Sequence, residues 1–146
     1  MTNLKLLALD TDDLAVISAH MQDSVLKVGD LAYDKRAQQF SLVANRFVWE
    51  TADERGKPFE RRRAVIGFKR VQAVRSVGID RKGGDAVLAL LAIRFEPKGE
   101  GPDGTLELTL AGKATIALDV ECIEVQLADI GGAWQASSKP NHPDGA

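Results

Sequence analysis

Apolar positions recur at two periods along this chain, and an element ends where one period gives way to the other. Leu4, Leu6, Leu7 and Leu9 form a short apolar run that Asp10 stops, which predicts a first strand. Asp10 then suits the N-cap of a helix, and Asp12 and Asp13 fall in its first turn, where the dipole favours negative charge. Leu14, Ile17 and Met21 follow at helical spacing, with Val16 and Ala19 widening the stripe. Leu9 and Leu14 occupy the N′ and N4 positions of a hydrophobic staple. The spacing predicts a helix over 11–23.

The period then drops to two. Val25, Leu26, Val28, Leu31 and Tyr33 predict a strand over 25–33, and Asp34 to Gln38 reads as a hairpin turn. Phe40, Leu42 and Ala44 alternate with Ser41 and Val43, after which Phe47 and Trp49 carry the bulk on the opposite parity; that switch predicts a bulge or sharp twist near Asn45-Arg46. Residues 51–60 read as a polar loop. The stretch 61–80 is rich in Val, Ile and Phe, too long for one usual strand, and predicts two strands or one bent near Arg70–Gln72. Asp80 to Asp85 is a turn. Ala86–Phe95 is almost continuously apolar and predicts a central strand, with a helix as the rival. Leu106, Leu108 and Leu110, and then Ile116, Leu118 and Val120, alternate as two further strands. Val120, Ile123 and Leu127 take helical spacing, with Glu121, Glu124 and Asp129 outside, which predicts a short C-terminal helix over 120–130 with Gly131 as its C′ cap. Trp134 is expected to fold back on the body, and 136–146 to form a loose tail.

This order predicts one α+β domain over residues 1–135. Its frame is a mainly antiparallel curved sheet or small barrel, with an N-terminal and a C-terminal helix, in a pleckstrin-homology-like arrangement. A chain of 146 residues fits a single core, and 45% apolar with 27% charged residues is ordinary for a globular protein. No stretch reaches the roughly 18 apolar residues of a membrane span, and the start of the chain lacks the basic-then-apolar order of a signal peptide. A cytoplasmic setting and no membrane partner are expected. The single Cys122 permits no internal disulfide; its apolar surroundings predict a buried small hydrophobe.

Charge changes the picture most. Residues 55–98 hold twelve Lys or Arg against four acids, between acidic flanks, while the whole chain is −2 with a pI near 5.7. Arg61 and Arg63 share one face of a strand, Lys69 shares their parity, and Arg75 joins them if no bulge intervenes. These four are the candidate anion-binding residues, set against a plainer reading in which the bases guard a wet strand face and pair with acids elsewhere. The overall acidity disfavours a dedicated DNA binder. Arg46, in NRFVWE, and Arg94, in AIRFEP, interrupt apolar strands and call for acid partners, with Glu50 and Glu96 nearest to hand.

Catalytic chemistry is thin. His20 lies in the predicted helix and reads as a helix-flank residue, and His142 lies in the tail. No nucleophile elbow, zinc-protease helix or phosphate loop is present. Glu121 and Glu124 would share a helix face, but two acids make a poor metal site. No catalytic residue, metal or cofactor is assigned, and the balance leans away from an enzyme.

Read in order, LxALDxxDLAVxSAHxQDxVLKVGDLAY, NRFVWE, ERRR, AVLALLAIRFEP and IALDVECIEVQLADIG…W resemble an uncharacterised family of small proteins. That family, a domain of unknown function, is found chiefly in alphaproteobacteria and is often encoded near histidine-biosynthesis genes. The resemblance spans roughly residues 4–135; it implies a single-domain bacterial cytoplasmic protein and fixes no site. The expected role is a non-enzymatic binding or adaptor protein acting through contacts with another protein or a second copy of itself. The alternative is a binder of an anionic small ligand or nucleic acid on the basic strand face.

Overall fold

The computed structural model describes residues 4–51, 60–80 and 82–135, with the side chains of 51 and 131–135 left aside. Strand β1 (Lys5–Ala8) leads into helix α1 (Thr11–Met21). The Asp10 carboxylate caps that helix by accepting from the Asp13 N–H at 2.8 Å. Leu14, Ile17 and Met21 are buried as the spacing requires, but Leu9 is 61% exposed, so the expected staple is not what holds the helix entry.

The predicted 25–33 strand is two strands. β2 (Ser24–Lys27) is broken by a 3-10 turn at Val28–Asp30 before β3 (Leu31–Asp34) resumes. β4 (Gln39–Phe47) and β5 (Glu60–Phe68) pair in unbroken register from Phe40 opposite Phe68 to Phe47 opposite Arg61. Of the bulge or sharp twist expected near Asn45-Arg46, the bulge is therefore absent. The parity switch has another cause: Phe47 is buried on the far face of β4, edge-on to Trp49 at 4.7 Å, while the core-facing position goes to Arg46.

β5 gives way to β6 (Val71–Val77) through a turn at 69–70, where Arg70 takes a left-handed φ of 60°. Residues 86–95 lie in a strand, β7 (Val87–Pro97), followed by β8 (Gly104–Leu110) and β9 (Ala114–Val120). The expected C-terminal helix over 120–130 is not present: residues 121–124 turn, and β10 (Val125–Gln135) follows, with Gly131 inside the strand and capping nothing. Ile123, Val125, Leu127 and Asp129 are buried alternately with more exposed neighbours, a period of two that three helix-spaced residues had masked. β10 is bound on both sides, to β1 and to β5, and only an extended segment can serve two ladders.

The strands form one mainly antiparallel sheet in the order β1-β10-β5-β4-β2-β7-β8-β9-β6, with β3 also paired to β4. It does not close into a barrel, and without a closing helix the pleckstrin-homology-like arrangement is not shown. The sheet folds over on itself, since one buried cluster draws Phe40, Leu42, Ile66 and Phe68 from one half and Leu90, Leu106, Leu108 and Ile116 from the other. Helix α1 packs on β1, β4 and β7 and covers one open side; Ser18 Oγ accepts from the Ile93 N–H at 2.9 Å, beside the register shift between Leu90 and Ala92. The opposite side, between β3 and β6, has no such cover among the described residues. The expected loop over 51–60 and the tail at 136–146 lie outside the described residues, apart from the two loop ends.

Candidate functional site

Two features stand at opposite ends of β4. The first grows from Arg46. Position 46 continues the inward row of Phe40, Leu42 and Ala44, so the strand drives a guanidinium into the core, where its side chain is 1% exposed. A charge so placed must be paired. Arg46 Nε donates to Asp129 Oδ1 at 2.7 Å and Nη2 to Oδ2 at 2.9 Å; Nη1 and Nη2 donate to Glu50 Oε1 and Oε2 at 3.0 and 2.9 Å. Two carboxylates thus grip one guanidinium in fork geometry. Asp129 Oδ2 also accepts from the Leu4 N–H at 2.9 Å, which fastens the start of β1. Arg62 lies directly across the ladder from Arg46, on the same inward face, with Glu60 Oε2 3.9 Å from its Nη2.

Burial alone would lower the Arg46 pKa, but the bonds to Asp129 and Glu50 outweigh it and hold the group above its ordinary range. Burial alone would raise Asp129 and Glu50; the bonds from Arg46 outweigh it and hold both below the usual carboxylate values. His20 Nδ1 lies 3.6 Å from Glu50 Oε1, and Trp49 Nε1 donates to the Gln22 carbonyl at 2.9 Å, which seats the 3-10 turn at Trp49–Thr51 on the end of α1. This assembly is a structural clamp that joins β1, β4, β10, α1 and the turn. Its carboxylates are engaged, and among the described residues no group of three or more His, Cys, Asp or Glu is placed to hold a metal ion.

The four candidate basic residues do not meet in one place. Arg61 gives Nη1 to the Asp23 and Asn45 carbonyls at 3.3 and 3.2 Å and lies over the Phe47 ring at 5.8 Å; burial lowers its pKa, with the Asp23 charge opposing. Arg63 is exposed on the outward face of β5. Lys69 lies at the far end of that strand, 3.8 Å from Glu124, which also faces Arg70 at 3.5 Å. Arg75 reaches Asp119 at 2.6 Å and lines a polar hollow of about 530 Å³ with Lys98, Asp103 and Thr105. Arg94 is exposed on β7, so it makes no demand for a buried acid partner, and Cys122 is partly exposed in the 121–124 turn, not a buried hydrophobe as expected. Glu121 and Glu124 share that turn and no helix face.

The second feature is a cleft of about 410 Å³ between β3 and β6. Leu31 and Tyr33 form one wall, Val74, Ser76 and Ile79 the other, with buried Phe40 and Ile116 behind them. The cleft exists because the sheet divides at the 3-10 turn. The Gly29 N–H still donates to the Gly84 carbonyl at 2.9 Å, but beyond it β3 stays with β4 while the other half of the sheet turns away. At the far end the two walls are pinned: the Val71 N–H donates to the Gln38 carbonyl at 2.9 Å, and the Tyr33 hydroxyl donates to the Val71 carbonyl at 3.2 Å. Among the described residues no charged side chain lines the cleft.

The sequence pairs Arg46 with Glu50 but misses Asp129, because a predicted helix places that acid outside. Its signal was present: Asp129 stands two residues after Leu127 on the inward row of a strand, where a carboxylate needs a partner. The cleft leaves no local signal, since it arises from the divergence of strands distant in sequence.

Among the described residues, fold and sites together define a small α+β protein, a folded-over open antiparallel sheet with one helix, a charged clamp at one end and a cleft lined by apolar and uncharged residues at the other. A family model described as "Protein of unknown function (DUF2948)" matches residues 4–142, and the chain belongs to that family. No curated protein and no solved structure matches it.

Proposed function

We propose that this chain is a non-enzymatic binding module that acts through protein contacts, with the β3–β6 cleft as its contact site. One observation carries the reading: among the described residues the sheet stays open where two strand edges flank a cleft of about 410 Å³ with an uncharged lining, a volume in the range of roughly 300–1,000 Å³ typical of binding pockets. Partly buried Leu31, Tyr33, Val74 and Ile79 extend the core to its mouth, so an apolar side chain entering there would meet packed apolar surface. The clamp at the other end supports this use, because it fixes β4, and with it the cleft wall, through Asp129 and Glu50 carboxylates already engaged by Arg46.

The test is selection of encoded protein fragments on the purified full chain, followed by titration of each fragment against Ser76→Trp, which fills the cleft from its half-buried β6 wall. The reading expects fragments that bind wild type and lose affinity for the variant. Fragments indifferent to the variant, or none at all, would overturn it.

A second reading, an anionic ligand held by basic residues, draws on Arg75 and Lys98, which share the polar hollow on the β6–β9 face; Asp103 and Asp119 in the same hollow offset them. It expects a salt-sensitive rise in melting temperature with nucleotides or RNA that Arg75→Ala abolishes.

A further inference from the structure

We infer that the occupant of the cleft is an extended segment of a partner protein that adds as a strand along the open edge of β6. This rests on the protein-contact reading above and specifies the partner's chemistry.

The ends of the sheet path are β1 and β6. β1 has four residues, carries Lys5, and runs directly into α1. β6 has seven residues and pairs only with β9 among the described residues. Proteins protect long edges with charge, proline or cover. β6 has no proline, and its one charge, Arg75, is turned to Asp119 on the β9 side. The edge is fastened once, where the Val71 N–H meets the Gln38 carbonyl, and runs on past Val74 and Ser76 beside the cleft.

The polar groups on offer identify the ligand. A small polar molecule needs a few convergent side-chain groups to orient it. Here, among the described residues, the lining side chains supply only Ser76 and the Tyr33 hydroxyl, and the latter already donates to the Val71 carbonyl. What remains is the main-chain row of a strand edge, whose complement is another extended main chain. Strand addition takes affinity from that row and specificity from pockets for alternate side chains. The cleft is such a pocket, and the apolar, uncharged lining of its described residues selects apolar, uncharged residues at alternate positions. Small apolar molecules and a second copy of this chain are the competing occupants.

The experiment uses the full chain and two capped peptides matched to the seven residues of β6. One alternates Val or Leu with Ser or Thr between terminal lysines; the other has the same composition with the alternation broken. Residue-level amide exchange and light scattering are read at each titration point. The expected result is binding of the alternating peptide at least roughly tenfold tighter than the control, with slowed exchange within 72–77. Ser76→Trp and Ser76→Lys, which fill or charge the cleft from its β6 wall, both abolish the effect, while Arg63→Ala leaves it unchanged. Equal binding of the two peptides, binding without protection in 72–77, or no binding overturns the inference. Protection in 72–77 that grows with protein concentration alone assigns the edge to a second copy and also overturns it. Fragments that fill the cleft without protecting β6 would leave the protein-contact reading standing while strand addition falls.

Discussion

Arg46 shows how one residue sets the terms for its neighbours. A guanidinium on an inward strand position is tolerable only because Asp129 and Glu50 both close on it. Breaking such a pair costs more than replacing it whole, since the partner left behind is a buried charge. Arg46→Met is therefore expected to destabilise the chain by roughly 3–5 kcal/mol in denaturant unfolding. Arg46→Met/Asp129→Leu, which removes both buried ends, should recover most of that loss, while Glu50 turns to solvent. The pH dependence follows in sign. Asp129 and Glu50 are held below their ordinary 3.8 and 4.5, so their contribution is complete above those values and is lost as pH falls through the lower folded ones. Melting temperature should drop steeply in that acid range for wild type and less steeply for the double variant. An equal drop in both would place the acid sensitivity elsewhere. The need for a partner at Arg46 was legible from one residue in an apolar strand, and Glu50 was near enough in sequence to propose. Asp129, 83 positions away, was hidden by a misread element.

At the scale of elements, local signals decided the outcome where they agreed and failed where tertiary pairing overrode them. Asp10, Asp12 and Leu14 set the start of α1, and the cap bond is present; Asp10→Ala should cost about 1 kcal/mol in unfolding free energy. The helix expected over 120–130 had three residues in step and no such cap. Its backbone is claimed by two ladders, and propensity yields to pairing. The β7–β8 hairpin rests on a constraint that pattern does not reveal. A Cβ at Gly104 would meet the Glu96 carbonyl oxygen and the Phe95 ring, so Gly104→Ala must displace one of them. The expected cost is roughly 1–3 kcal/mol, seen as a lower denaturant midpoint with an unchanged slope. An unchanged midpoint would mean the hairpin closes differently.

For the whole molecule, the arrangement that matters is a sheet folded over on itself with two open sides and one helix to cover them. Alternation along each strand announced the antiparallel sheet, and it said nothing about which edges remain unpaired. That follows from the break at Val28–Asp30, where one half of the sheet keeps β3 and the other departs, and from the path that leaves β6 at its end. Among the described residues, the basic side chains that dominated the sequence are spread over several strands and turns, while the cleft that organises the functional reading has no charged lining. Amide exchange of the free chain at low concentration tests this most directly. The account predicts that alternate amides within 72–77 exchange much faster than those of β8, which is paired on both sides. Uniform protection of 72–77, equal to that of β8, would mean that the slot is already shut and would contradict the account.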